Sequence, residues 1–185
     1  MSIDHLATSA RRSPVHIALL AGLALVLIAA LSILVAGRTH AVHGGIHPEN
    51  MARVPFADPT AIQLRGLVGG KMNVSNANNV GETLIQKITV DPGGFTGWHT
   101  HPGPVVVLVV SGTFDVYQAN DPTCTAYSYG PDEAFIDPGQ GNVHSARNNS
   151  QTVPMVAWAV YFDVPADLPS PFIGIENPGD SCAEF

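Results

Sequence analysis

The hydrophobic positions of this chain follow two patterns, one long apolar run near the N-terminus and a series of short runs after it. The long run covers residues 15–36, VHIALLAGLALVLIAALSILVA, and contains no Lys, Arg, Asp or Glu. A helix rises about 1.5 Å per residue, so a helix of this length crosses the roughly 30 Å hydrocarbon core of a bilayer. We therefore predict a single transmembrane helix at 15–36.

The charges around this run predict its orientation. Arg11 and Arg12 precede it, whereas only Arg38 follows it closely, and positive residues favour the cytoplasmic side of a membrane helix. Residues 1–14 are therefore predicted to be cytoplasmic, and the remainder of the chain extracytoplasmic. The alternative is secretion after cleavage near Ala41, although a cleavable signal has a shorter apolar run of about 7 to 15 residues.

The short hydrophobic runs in the second half of the chain are typical of β-strands. The chain has 18 Gly and 15 Pro, and many of them separate runs rich in Val, Ile and aromatic residues, as expected for strands joined by tight turns. The last run has apolar side chains at both odd and even positions, so both faces are predicted to be covered, as in a small barrel or sandwich. We predict strands at 83–90, 105–110, 113–118, 134–136, 143–147 and 153–162.

The stretch before these strands has a weaker pattern. Residues 37–60 mix polar and apolar positions without a clear period, and we predict a linker there. An all-β domain with a C-terminal tail is predicted to follow over residues 61–185, beginning with peripheral strands such as the apolar piece at 62–68. A folded part of this size is sufficient for one hydrophobic core.

Composition and cysteine content limit the partners and the compartment. Asp and Glu number 15 against 8 Lys and Arg, and the basic residues are scattered, so nucleic acid is not expected to bind. Cys124 and Cys182 are the two cysteines of the chain. Outside the cytoplasm, two cysteines favour one disulfide that ties the tail to the domain, and two unrelated free thiols are the alternative.

Three histidines carry the strongest chemical signal. His99 and His101 are two residues apart, so in an extended segment they point to the same side, about 6.5 to 7 Å apart along the backbone. A third, His144, follows a Pro- and Gly-rich turn at 137–141 that is expected to begin a new strand toward the same neighbourhood. Three imidazoles are enough to hold a divalent ion and leave coordination positions open.

These motifs resemble those of the cupin superfamily. The first cupin motif reads Gly, five residues, His-x-His, three or four residues, Glu, six residues and Gly, and its matches here are Gly93, His99, His101 and Gly112. The second reads Gly, five residues, Pro-x-Gly, two residues, His, three residues and Asn. Its front part is stretched in this chain, and its last part is matched by Gly141, His144 and Asn148. The resemblance covers roughly residues 83–162.

The resemblance implies both a fold and a metal. The fold is the double-stranded β-helix, or jelly-roll barrel, of cupins, here preceded by the predicted membrane helix. The metal is a divalent ion, Fe, Zn or Mn, bound by His99, His101 and His144. The resemblance also leaves open the pairing of two barrels in a homodimer. The alternative is that the three histidines are ordinary barrel residues in a cupin that has lost its metal.

The sequence departs from the cupin pattern at one ligand. Val105, or Val106 with the longer spacing, stands where the family usually has a metal-binding Glu. A divalent ion held by three neutral imidazoles keeps its double charge. We therefore expect a preference for anionic or chelating ligands and a more acidic bound water.

Two hypotheses of function follow from the resemblance. The first is a metal-dependent oxygenase or related enzyme that acts on a small anionic substrate. The second is a non-catalytic cupin that binds a metal or a small molecule, and the fold does not choose between them. The sequence shows no Ser or Cys nucleophile with a partner and no Gly-rich phosphate loop, so hydrolase triads and nucleotide use are not expected. No catalytic residue is predicted.

Other noticeable residues are better explained by structure than by chemistry. A second histidine group lies in the predicted linker and is interpreted as incidental; its members are His40, His43 and His47. Asn148 is interpreted as a cap at the end of a strand. Large aromatic residues in a small barrel are usually core, and this interpretation applies to Trp98, Tyr117, Trp158 and Tyr161.

Overall fold

The computed structural model describes residues 43–176 and Cys182. The predicted cytoplasmic segment 1–14 and membrane helix 15–36 therefore lie outside the described residues, as does His40. Within the described part of the chain, no helix has the length and apolar character that a membrane span requires.

The described residues form an all-β structure. The strands predicted between residues 83 and 162 are present, with ends that differ by a few residues, whereas the strands at 44–55, 71–77, 99–100, 127–129 and 173–174 were not predicted. In chain order the strands are β1 (Gly44–Pro55), β2 (Ile62–Val68), β3 (Lys71–Ala77), β4 (Glu82–Phe95), β5 (His99–Thr100), β6 (Val105–Ser111), β7 (Phe114–Gln118), β8 (Tyr127–Tyr129), β9 (Ala134–Asp137), β10 (His144–Arg147), β11 (Met155–Val164) and β12 (Ile173–Gly174).

Ten of these strands form one continuous sheet, and β2 and β3 form a separate hairpin. One part of the sheet has the order β9-β6-β11-β4-β1 and the other part the order β12-β5-β10-β7-β8. The two parts are joined where Phe95, at the end of β4, pairs with Arg147 of β10. Side chains from both parts, including Leu84, Val107 and Val116, meet in one hydrophobic cluster. This arrangement is the predicted jelly-roll barrel.

Strand β11 illustrates why much of the barrel was predictable. Met155, Ala157 and Ala159 are fully buried on one face, while Val156 and Val160 on the other face are half-buried. Both faces are covered, so the strand carries apolar side chains at consecutive positions, as predicted. The two small alanines belong to the face that meets the barrel interior.

Strand β1 occupies residues 44–55, where a linker was predicted. It pairs with β4 along its length in an antiparallel register. Its cross-strand contacts are largely polar, since Arg53 binds Glu82 and Lys87 binds Glu49. Polar cross-strand pairs stabilise a strand without producing an apolar alternation, which explains why the hydrophobic pattern did not predict it.

The predicted disulfide is confirmed. Cys124 and Cys182 are bonded across a sequence separation of 58 residues. Cys182 is buried beside Trp98 and Tyr117 in a second hydrophobic cluster. The end of the chain is therefore tied to the barrel at the loop between β7 and β8.

Candidate metal centre

Two of the predicted histidines meet through strand pairing. His99 begins β5 and His144 begins β10, and the two residues are paired in the antiparallel ladder. Directly paired residues carry their side chains on the same face of a sheet. Both side chains are buried, and their ring centroids are 4.2 Å apart. The register of β5 and β10 therefore determines this contact.

His101 reaches the same place through the loop that follows β5. Its backbone carbonyl accepts a hydrogen bond of 2.8 Å from the backbone N–H of Gln140. Beside this bond, a Cβ on Gly139 would lie only 1.9 Å from the carbonyl oxygen of Gly103. Only glycine allows such an approach, and the φ of +59° at Gly139 also suits glycine. The loop of His101 is thus held against the turn that leads to His144.

The β2–β3 hairpin braces the same turn from outside. Ser75 Oγ donates a hydrogen bond of 2.7 Å to the carbonyl of Pro138, and Gln140 Nε2 donates one of 2.8 Å to the carbonyl of Asn76. Ser75 is buried at this contact. A hairpin that looked peripheral in the sequence therefore helps to position the turn between β9 and β10.

The three predicted histidines converge. One ring nitrogen from each of His99, His101 and His144 lies within 4.8 Å of the other two. His99 Nδ1 lies 2.9 Å from the carbonyl of Gly97, and His101 Nδ1 lies 2.8 Å from the carbonyl of Pro171. A carbonyl oxygen can only accept, so each Nδ1 carries the proton and each Nε2 keeps its lone pair. Metal-binding histidines are commonly oriented in this way.

The environment keeps two of these rings uncharged. Burial, followed by repulsion from His144 and His101, lowers the pKa of His99 well below its usual value. Burial, followed by repulsion from His144, lowers the pKa of His101 to about 4, although Asp137 and the hydrogen bond to Pro171 act in the opposite direction. Both rings are therefore neutral at pH 7, the state in which imidazole can bind a metal.

A carboxylate that the sequence analysis did not single out lies beside these rings. Asp137 ends β9, and its Oδ2 is 3.6 Å from His101 Nε2 and 3.6 Å from His144 Nδ1. Its Oδ1 accepts a hydrogen bond of 2.8 Å from Asn142 Nδ2. A carboxylate therefore lies beside the three histidines, although Val105 replaces the Glu of the cupin motif. Asp137 directly precedes the Pro–Gly turn, but the local sequence does not show which strand it faces.

Two atoms of this group test whether a metal fits. Asp137 Oδ2 and His144 Nδ1 are buried and have no hydrogen-bond partner among the described residues. Buried polar atoms are normally paired, because an unpaired one costs free energy. A cation bound between the carboxylate and the imidazole would pair both atoms. The donor set of three His and one Asp also suits a divalent transition metal. The residues present fit the predicted ion.

The three histidines line a cavity of about 220 Å³. Val105 lines it without offering a ligand, as predicted. Tyr161 also lines it, with its ring 5.2 Å from that of His101. Burial and the nearby Asp137 raise the pKa of Tyr161, so its hydroxyl stays protonated and can donate a hydrogen bond. The rest of the wall is mostly apolar and includes Ile46, Ile88, Val107, Phe114, Phe135 and Phe172.

The C-terminal segment forms one wall of the cavity. Ser170, Pro171 and Phe172 line it, and the next residues form β12, which pairs with β5. The beginning of this segment is held by Arg53 of β1, which donates hydrogen bonds to the carbonyls of Leu168 and Pro165. We call residues 165–174 the strap. The sequence carries no metal or pocket motif in the strap, so its role was not predictable.

The other residues noted in the sequence have mostly structural surroundings. His43 lines the cavity with an exposed side chain, and His47 binds Asp91 at 2.9 Å. Asn148 Nδ2 contacts three backbone carbonyls, which supports the structural interpretation. Trp98 and Tyr117 pack in the cluster around the disulfide, and Trp158 is half-buried on β11. Of the predicted core aromatics, Tyr161 has both roles, because it belongs to the core and also lines the cavity.

Comparison with protein families identifies a match over the centre of the barrel. Residues 86–161 match the family model Cupin_2, described as a cupin domain. All three histidines and Asp137 lie inside the matched range. No curated protein sequence is significantly similar to this chain.

Solved structures with similar folds have low sequence identity to this chain. The structure of KdgF from a Halomonas species is 16% identical, with a TM-score of 0.43 over 66% of this chain and 83% of that one. The polyketide cyclase RemF from Streptomyces resistomycificus is 19% identical, with a TM-score of 0.42 over 52% of this chain and 64% of that one. A cupin-like protein from Thermotoga maritima is 19% identical, with a TM-score of 0.40 over 50% and 64%. None of these likenesses assigns a substrate or a reaction to this chain.

Proposed function

Because this chain carries a cupin domain, we propose that it binds a divalent metal ion through His99, His101 and His144 and uses the ion to bind a small molecule. The observation that carries the proposal is the convergence of three buried rings, with one nitrogen of each within 4.8 Å of the other two. Two of the rings have their pKa lowered by burial, and both have Nδ1 bonded to a carbonyl. The Nε2 atoms of His99 and His101 therefore keep lone pairs that are buried and available to a metal ion.

The cavity supports a small ligand with an apolar body and one metal-binding group. Its volume of about 220 Å³ is below the roughly 300 Å³ at which pockets for drug-sized ligands begin. Most of its wall is apolar, so a ligand gains affinity by burying apolar surface there. The positive charge of a bound ion favours an anionic or chelating oxygen group at the histidine end.

An enzymatic role is our preferred form of this proposal, namely a metal-dependent oxygenase or related enzyme. A bound divalent ion supplies Lewis-acid or redox chemistry at the ligand's polar group. Tyr161 offers a protonated hydroxyl in the same cavity, which can donate a hydrogen bond to that group. Pro171 and Phe172 of the strap line the cavity beside the histidines, and a ligand that fills the cavity would exclude water there.

A second candidate is a non-catalytic binding module. Within the described cavity wall, the titratable side chains other than the three histidines are Asp137, Tyr161 and His43. Tyr161 has a raised pKa and is a poor base, and Asp137 lies close enough to the histidines to be occupied by the metal. Few groups are thus left to move a proton during a reaction, which favours binding without turnover.

We further propose that the barrel is extracytoplasmic and held at the membrane by residues 15–36. The support is the uncharged run in the sequence together with the disulfide between Cys124 and Cys182. Disulfides persist in oxidising compartments and are rare in the cytoplasm.

The proposal is tested with full-length protein purified in detergent. Metal content is measured for the wild type, for His101→Ala and for His144→Ala, with His47→Ala as the matched control on β1. The two site variants should lose most of the metal, and the control should keep it. Equal metal content in all four proteins would remove the proposed centre.

Turnover separates the two candidate functions. Oxygen uptake is followed with the iron-loaded wild type and a panel of diketones, thiols and phenols, and His144→Ala serves as the inactive reference. Uptake above that of the variant supports the enzyme. Saturable ligand binding without oxygen uptake or product supports the binding module.

A further inference from the structure

The position that lacks the expected carboxylate has a carboxylate opposite it. Val105 of β6 is paired with Asp137 of β9 in the antiparallel ladder. Directly paired residues point to the same face, with Cβ atoms about 4.5 to 5.5 Å apart. Val105 and Asp137 accordingly both line the cavity with the three histidines. The neighbouring strand thus presents, on the same face, the group that β6 lacks.

We propose that Asp137 is the fourth protein ligand of the metal centre, an inference that rests on the proposed metal site. Its Oδ2 lies 3.6 Å from His101 Nε2 and 3.6 Å from His144 Nδ1. Donors that share a tetrahedral ion with bonds of about 2.1 Å are about 3.4 Å apart. A separation of 3.6 Å is too long for a hydrogen bond. The distances therefore match donors around one ion better than a direct contact.

The surroundings of Asp137 hold the carboxylate in place but do not neutralise it. Its side chain is 4% exposed, and Oδ1 is held by Asn142 Nδ2, which also donates to Gln118 Oε1. Among the described residues, the ion-pair partners of Asp137 are only His101 and His144. Neither partner is a Lys or an Arg, so neither is a permanent cation. A buried carboxylate is costly without a countercharge, and a bound cation would supply it.

This ligand changes the charge that a substrate meets. Three imidazoles alone leave a divalent ion with its double charge, whereas Asp137 reduces the net charge of the centre to a single positive one. The centre therefore favours a ligand with one negative charge over a dianion. With Asp137 as a ligand, the metal centre does not need a carboxylate at the position of Val105.

The test measures the affinity of full-length protein in detergent for Co²⁺ alone, with the visible absorption spectrum of the bound ion. Asp137→Ala and Asp137→Asn should each weaken Co²⁺ binding by at least about 100-fold and change the spectrum. Asp91→Asn, an exposed aspartate on β4, is the matched control and should leave both unchanged. Thermal unfolding of the metal-free variants checks folding, because removing an uncompensated buried charge should not destabilise the apoprotein.

A double variant tests whether Asp137 is a metal ligand or only orients His144. Combining Asp137→Ala with Val105→Glu returns a carboxylate to the same face from the neighbouring strand. It should recover Co²⁺ affinity to within about tenfold of the wild type. Asp137 variants with wild-type affinity, or with weakened affinity but an unchanged Co²⁺ spectrum and no recovery in the double variant, would overturn the inference. A wild type that binds no Co²⁺, or binds it as well as His101→Ala does, would instead overturn the proposed function.

Discussion

The ring of Phe172 stacks on the imidazole of His99, with centroids 4.3 Å apart and planes inclined by 20°. Phe172 belongs to the strap, and the residues after it pair with β5, the strand that carries His99. The strap is therefore part of the site, because it covers a proposed metal ligand with an aromatic face.

Phe172→Ala should open this cover and speed the release of metal. Without the ring, His99 is more exposed, water and chelator reach the centre more easily, and several-fold faster transfer of metal to a chelator is expected. Stopped-flow mixing with a coloured chelator measures the rate. Phe56→Ala, at an exposed position outside the cavity wall, is the control. Equal release rates in the two variants would show that the strap does not protect the site.

Metal-free protein should lose stability as the pH falls from 6.5 toward 4. Burial, followed by His144, lowers the pKa of His101 from 6.5 to about 4 in the fold, against the opposing effect of Asp137. In this range the unfolded chain takes up a proton and the folded chain does not, so protonation favours unfolding. Above pH 6.5 none of this stability is lost. By pH 4 the loss in the free energy of unfolding amounts to on the order of 3 kcal/mol.

Urea unfolding at a series of pH values measures this dependence. The comparison is between the slopes of wild type and His101→Gln, so a general loss of stability in the variant does not affect the result. The variant should show a smaller fall of unfolding free energy with acid. Parallel curves would mean that His101 titrates in the fold as it does in the unfolded chain.

Removing the disulfide should destabilise the domain. The bond between Cys124 and Cys182 spans 58 residues, and closing a loop of this size is worth roughly 3 to 4 kcal/mol in the chain-entropy model. Cys124→Ser combined with Cys182→Ser should therefore lower the urea midpoint, and reductant should lower that of the wild type but not of the variant. Free thiols that titrate in unfolded, unreduced protein would contradict the bond.

Gly139→Ala should damage the site far more than the same change at Gly93. Both glycines have positive φ, +59° and +73°, so both substitutions strain the backbone by about 1 to 2 kcal/mol. At Gly93 a Cβ meets nothing within 4 Å, whereas at Gly139 it would overlap the carbonyl of Gly103. Weaker metal binding and a larger fall in melting temperature are expected for Gly139→Ala. Equal effects would mean that the two loops are not held together as described.

Full-length protein should remain with the membrane. The uncharged run at residues 15–36 is very unfavourable to remove from lipid. Cell fractionation followed by carbonate extraction measures this, and the protein should stay in the pellet at its full mass. Complete release of a shorter form would favour cleavage near Ala41 and secretion.

The sequence by itself determined the parts of the protein that depend on near neighbours in the chain. Alternation and turn residues located the strands between residues 83 and 162, and the spacing of His99 and His101 placed both on one side. The cupin-like motif around His144 supplied the third ring. Two cysteines in an otherwise cysteine-free chain were enough to propose the disulfide, which the structure contains.

Only the tertiary structure decided which distant residues meet. Asp137 faces the histidines because β9 and β6 pair in a register that places it opposite Val105, and a shift of one residue would turn its side chain to the other face. Phe172 reaches His99 because the strap crosses the barrel and pairs with β5. The register of the strands and the path of the strap depend on the packing of the whole barrel. A hydrophobic pattern over a few residues does not indicate either of them.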